Sequence, residues 1–145
     1  MDLKHFDMTN PFTFIQKEED VPTFVSALVK NFKRDTLNSK PERAKCRDAL
    51  LQSLVFYLYK QCRRCDQNLS NVYKLLAAAE IRVKDPNYKS PLDIIFEDLA
   101  EIGPDHVAVK QYSIFKETNP AVAYYVVDEI KAEMIVLGWE SKWSF

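Results

Sequence analysis

The sequence predicts an all-α fold, a compact bundle of about six helices behind an extended N-terminal lead-in. Three observations carry that expectation. Only two of the 145 residues are glycine, Gly103 and Gly138, too few for the hairpin turns of a β sandwich. Apolar residues recur at the i, i+3, i+4, i+7 spacing of helices buried along one stripe. Proline stands with Asp, Ser or Asn where several stripes begin, at Asp20–Pro22, Ser39–Pro41, Ser90-Pro91 and Asn119-Pro120, as helix starts favour. One domain over 1–145 follows, with a lead-in at 1–18, a helical bundle at 19–138 and a tail at 139–145.

The elements can be justified in order. Leu3–Ile15 carries Asn10-Pro11 and scattered aromatics, and reads as extended chain rather than helix. The first helix is expected from Asp20, its N-cap, to Phe32, with Val21, Phe24, Val25, Leu28, Val29 and Phe32 inward. Lys30, Lys33 and Arg34 near its end suit the helix dipole. Ser39-Lys40-Pro41-Glu42 reads as a capping box opening the longest helix, to about Cys62. From Leu50 to Tyr59 this helix is apolar nearly all round, as a central element covered on several sides would be. Ser70 is expected to cap a short third helix burying Val72, Leu75, Leu76 and Ala79, and 82–89 reads as a polar loop.

Ser90-Pro91-Leu92-Asp93 starts a fourth helix with Leu92, Ile95, Phe96 and Leu99 inward and an acidic outer face of Asp93, Glu97, Asp98 and Glu101. Gly103-Pro104 stops it. A fifth, about Asp105–Glu117, buries Ala108, Tyr112 and Phe115. The sixth begins at Asn119-Pro120, turns Val122, Tyr125, Val126, Ile130, Met134 and Leu137 inward, and ends at Gly138.

Composition excludes several classes of function. With two glycines there is no Gly-rich phosphate loop and no dinucleotide fingerprint. The start, Met1-Asp2-Leu3-Lys4-His5, lacks the layout of a signal peptide, and the longest strongly apolar run, Leu54–Tyr59, is far short of a membrane span. The net charge of −1 hides an asymmetry: residues 41–90 carry 10 basic and 5 acidic groups, residues 91–145 carry 4 and 10. Such a chain can offer a basic face to nucleic acid and an acidic face to a protein, or mix both signs over its surface on folding.

Candidate chemistry is sparse. Cys62-Arg63-Arg64-Cys65 is a CxxC without the second pair of a zinc site, so free thiols in a reducing compartment are expected, the rival being a redox or metal role. His5 and His106 are the two histidines, and neither they nor Cys46, Cys62 and Cys65 form a nucleophile–base motif. Asp93 and Glu97, one turn apart, would suit acid–base or cation chemistry, but also an ordinary solvated face. Most of the 18 aromatics fall on inward stripes, with Tyr57, Tyr59, Tyr88 and Tyr112 less decided between core and base-stacking roles. The basic residues Arg43, Lys45, Arg47, Arg63, Arg64, Arg82, Lys84 and Lys89 form the candidate phosphate-contacting set.

A family resemblance joins these readings. Asn10-Pro11-Phe12-Thr13-Phe14-Ile15 with the Val21–Phe32 helix, Ala49–Leu58, Asn68–Leu76, Ser90-Pro91-Leu92-Asp93-Ile94-Ile95-Phe96 and His106–Lys116 together resemble the TraG/TraD-type coupling proteins of conjugative type IV secretion, in the version found on Gram-positive mobile elements. The likeness covers residues 8–118. It departs at Lys40-Pro41-Glu42-Arg43, where relatives have an aromatic-rich start to the long helix, and after Thr118.

The resemblance implies the all-α domain inserted in a RecA-like motor between its Walker A and Walker B regions. This would be a non-catalytic cargo-recognition module, without a cofactor of its own; ATP and Mg belong to the hexameric motor at the cytoplasmic side of the bacterial inner membrane. The implied partners are a relaxase or relaxosome accessory protein and transfer DNA of a plasmid or integrative conjugative element. The excised domain is expected to be monomeric. Asp93, Glu97, Asp98 and Glu101 are the expected protein-docking patch, and direct DNA binding through the basic 41–90 segment is the alternative. An insert begins and ends near one place, so the Asn10-Pro11 lead-in is expected close to the end of the last helix.

Overall fold

A long central helix organises the bundle, as its apolar circumference requires. A computed structural model of the chain describes residues 10–33 and 40–136. Within them lie six α-helices and no strand: α1 Asp20–Lys30, α2 Pro41–Gln61, α3 Leu69–Ala77, α4 Pro91–Ile102, α5 Val107–Lys116 and α6 Pro120–Val136. Helix α2, 21 residues and about 30 Å long, packs against α1, α3, α5 and α6. It buries residues on every side, among them Cys46, Leu50, Leu51, Leu54, Val55 and Leu58. The expected all-helical bundle is what the chain forms.

Several local expectations need correction. The lead-in is not simply extended. Pro11–Phe14 forms a 3-10 turn capped by the Asn10 side chain, which accepts from the Phe12 N–H at 3.0 Å. Phe12 and Ile15 are fully buried, with the Phe12 ring 5.0 Å from that of Phe24. This segment belongs to the core because its apolar side chains fill the start of α1.

Asp20 is the first residue of α1 rather than its cap. Its carboxylate turns back and accepts from the Gln16 and Lys17 N–H groups at 3.1 and 3.3 Å. Helix α1 stops at Lys30, where the Asn31 side-chain amide donates to the Ala27 carbonyl at 2.9 Å. Asn68, not Ser70, caps α3: its side-chain oxygen accepts from the Asn71 N–H at 2.8 Å, and Ser70 is the helix's second residue, buried in its first turn. Asn reaches the N3 amide from an extended backbone, so the helix starts two residues earlier. Lys40 takes the N-cap position of α2 that was expected for Ser39, with no side-chain cap bond. Ser39 itself, the expected cap at Gly138, the inward Leu137, and the tail fall outside the described residues.

The lead-in sits beside Arg64, whose guanidinium donates to the Phe12 and Ile15 carbonyls at 3.3 Å. At the other end of α1 the buried Glu133 of α6 accepts from the Lys33 N–H. Lys33 lines one pocket with Arg47, early in α2. Arg47 lies in the second turn of α2 and Arg64 just beyond its other end, with about 20 Å of helix between Arg47 and Gln61. Among the described residues, therefore, the expected closeness of lead-in and last helix is not found.

Candidate docking face and cleft

Helix α4 begins as its sequence foretells. Ser90 and Asp93 form a reciprocal capping box: the Asp93 N–H donates to Ser90 Oγ at 3.3 Å, and the Ser90 N–H donates to Asp93 Oδ2 at 2.9 Å. The outcome for Asp93 differs from the expected acidic outer face, because the residue is only 6% exposed. Its Oδ1 accepts from the Tyr112 hydroxyl at 2.6 Å and lies 3.1 Å from the Lys116 ammonium, both on α5. The Ser90 hydroxyl adds a bond to Oδ2 at 3.2 Å.

Burial alone pushes the Asp93 carboxyl up. The hydrogen bonds from Tyr112, Ser90 and Lys116 and the Lys116 charge outweigh it and hold the group below its ordinary 3.8. Burial and the Asp93 carboxylate together raise the Tyr112 phenol. With both oxygens occupied, Asp93 is a clasp between α4 and α5, withdrawn from the outer face on which it was expected.

The rest of the acidic patch stays at the surface. Glu97 meets Lys89 at 2.9 Å, and Asp98 and Glu101 are exposed. Beside them stand two large apolar side chains that periodicity did not single out, Ile94 at 48% and Ile102 at 87% exposure. Ile94, Asp98, Glu101 and Ile102 follow the i, i+4, i+7, i+8 spacing of one helical face. The outward face of α4 is thus both acidic and apolar.

The basic set does not assemble. Arg47 is 6% exposed and paired with Asp48 at 2.9 Å, because α1 closes over that side of α2. Arg64 is committed to the lead-in and to Gln67 Oε1 at 3.0 Å. Arg43 lies over the Tyr125 ring, 4.3 Å from its centroid, and Arg63 pairs with Asp66 at 3.3 Å. Arg82 pairs with Glu80 at 3.2 Å and stacks on Tyr88 at 3.7 Å. Lys89 holds Glu97. Lys45 and Lys84 are exposed. Arg43 stands in the first turn of α2 and Arg63 beyond its far end, past a helix of about 30 Å, so the eight positions make no continuous phosphate track.

Two clefts flank Tyr88. One, of about 380 Å³, runs between α4 and α5 under residues 86–89, walled by Phe96, Ala100, Val109 and Tyr112. The Phe96 and Tyr112 rings are stacked at 4.1 Å and 8°. The second, of about 310 Å³, lies toward the start of α6 and shares Pro86, Tyr88 and Lys116 with the first. Hydrogen bonding with Tyr88 is the largest influence on the Glu80 carboxyl and lowers it, while the same contact raises the Tyr88 phenol.

The remaining candidates take structural places. His106 caps α5, its Nδ1 accepting from the Ala108 N–H at 3.1 Å while the Gln61 amide lies 2.9 Å from Nε2. Burial first, then the Lys60 charge, lower its pKa against the opposing pull of Glu18. The Cys46 thiol is buried in α2 and pushed up to about 11 by burial, against a hydrogen bond from Thr118. Cys62 is half-buried at the end of α2 and raised by burial, and Cys65 is exposed; all three are free thiols. His5 lies outside the described residues. No group of three or more His, Cys, Asp or Glu placed to hold a metal occurs among the described residues. No described helix is long and apolar enough to cross a membrane.

Scanned against protein-family models, curated proteins and solved structures, the chain matches none.

Proposed function

We propose that this chain is a non-catalytic helical recognition module that docks a basic protein partner on the outward face of α4. The observation that carries the reading is the placement of Ile94 and Ile102, largely exposed, beside Asp98 and Glu101 on one helix face. Apolar anchors supply affinity once desolvated, and neighbouring carboxylates set orientation and on-rate for a cationic partner. The acidic balance of residues 91–145 supports the same sign of partner.

The sequence resemblance supplies the class of partner: the relaxase or a relaxosome accessory protein of a conjugative element, handed to a coupling ATPase of which this chain is the cargo-recognition domain. That identification is supported by the sequence patterns at residues 8–118 and not by the position of the described chain ends. Direct DNA binding through residues 41–90 is the less supported reading, since folding disperses and pairs those cations.

The test is the double charge reversal Asp98→Lys with Glu101→Lys, which spares the clasp residue Asp93. Its affinity for the cognate relaxosome protein at low salt is expected to fall at least about tenfold, since close interfacial charge pairs couple by about 1.5 kcal/mol or more. Unchanged affinity would remove the α4 face from the reading. A DNA titration at two salt concentrations checks the rival, which requires affinity that drops by about one logarithmic unit per phosphate contacted for each tenfold rise in salt.

A further inference from the structure

We infer that the cleft between α4 and α5 receives one arginine side chain of the docked partner, whose guanidinium takes Glu97 over from Lys89. The inference rests on the docking reading and names the chemistry that would enter beside the α4 face. The cleft has the size for a single long side chain, about 380 Å³, and its lining includes the stacked Phe96–Tyr112 pair together with Ala100 and Val109.

Of its two carboxylates only Glu97 can change partner. Asp93 is saturated by Tyr112, Lys116 and Ser90. Among the described residues the ion pair of Glu97 is with Lys89, at 2.9 Å, with the lysine 63% and the glutamate 49% exposed. A pair in that much water contributes no more than about 1 kcal/mol, so an incoming cation can replace the lysine. The protein's own lysine already shows that the position takes a positive charge.

The aromatic side of the cleft selects a planar cation. Tyr88 carries the Arg82 guanidinium at 3.7 Å on one face. Arg82 lines the neighbouring cleft and not this one, whereas Tyr88 lines both. Tyr88 thus borders the cleft that also holds Glu97; a guanidinium entering there suits both, since it stacks on aromatic rings and forks to carboxylates, which an ammonium does less well.

The experiment titrates the isotope-labelled chain with three capped pentapeptides, Ala-Ala-X-Ala-Ala, where X is arginine, lysine or citrulline. The arginine peptide is expected to shift the amide signals of Tyr88, Lys89, Glu97 and Tyr112. The citrulline peptide, isosteric but neutral, should bind at least about tenfold more weakly, because a charged hydrogen bond is lost. Glu97→Gln should weaken the arginine peptide to a similar extent. Lys89→Ala should tighten it about two- to fivefold by freeing Glu97, a gain that a merely structural Lys89 would not give.

Equal binding of arginine and citrulline, no gain in Lys89→Ala, or no shift at these amides would each overturn the inference. Failure here separates from failure of the docking reading. If Asp98→Lys with Glu101→Lys abolishes partner binding while Glu97→Gln leaves it intact, α4 docks the partner and the cleft is not used.

Discussion

Helices α2 and α4 start alike, with proline in the first turn, but are held by different forces. Helix α2 is secured by apolar burial around most of its circumference, with Leu50, Leu51, Leu54 and Val55 fully buried. Helix α4 buries Leu92, Phe96 and Leu99 on one side only and adds a polar clasp at Asp93. Its other side keeps isoleucines and carboxylates in water. In α2 nearly every position carries the fold, whereas in α4 folding and recognition fall on separable faces.

The comparison breaks most visibly at the centre of α2. Leu54→Ala is expected to destabilise the domain by about 2–5 kcal/mol in chemical denaturation, because the neighbouring helices cannot close the cavity. At the α4 clasp, Asp93→Asn should cost less, about 1–3 kcal/mol, as Tyr112 and the Ser90 N–H lose a charged acceptor while Lys116 moves into solvent.

The clasp also sets a pH signature. The folded Asp93 carboxyl titrates below its unfolded value of 3.8, so the unfolded chain takes up the proton first. Its contribution is complete above that value and is lost as pH falls through the folded pKa. Denaturation midpoints of the wild type should therefore fall more steeply below about pH 4 than those of Asp93→Asn. His106, lowered in the folded state, acts in the same direction at higher pH, removing stability as pH drops below 6.5. The smallest effect is expected at the lead-in: Arg64→Ala should cost about 1 kcal/mol and speed amide exchange at the turn of Phe12–Ile15.

These differences mark how far the sequence alone reaches. The all-α class, the central place of α2 and the start of α4 at Ser90-Pro91 were legible, because each depends on residues within one or two turns. The second engagement of Asp93 was not, since Tyr112 lies 19 residues away and meets it only once α5 crosses α4. Arg47 has the same lesson: on a helix buried all round, a cation lies beneath α1, and composition cannot say which side α1 covers. Ile94 and Ile102 fell off the inward stripe and were passed over; apolar residues at the spacing of an otherwise acidic face were the available signal. Asn68 preceded Ser70 as an equally good cap, and only its own extended backbone decides between them.

The central claim, that α4 keeps its outward face for a partner, is tested most directly by amide hydrogen exchange on the wild-type chain with and without the cognate relaxosome protein. The account expects new protection across Ile94–Ile102, with the basic ends of α2 unchanged. Protection that avoids this stretch, or gathers around Arg43–Lys45 and Arg63, would contradict it.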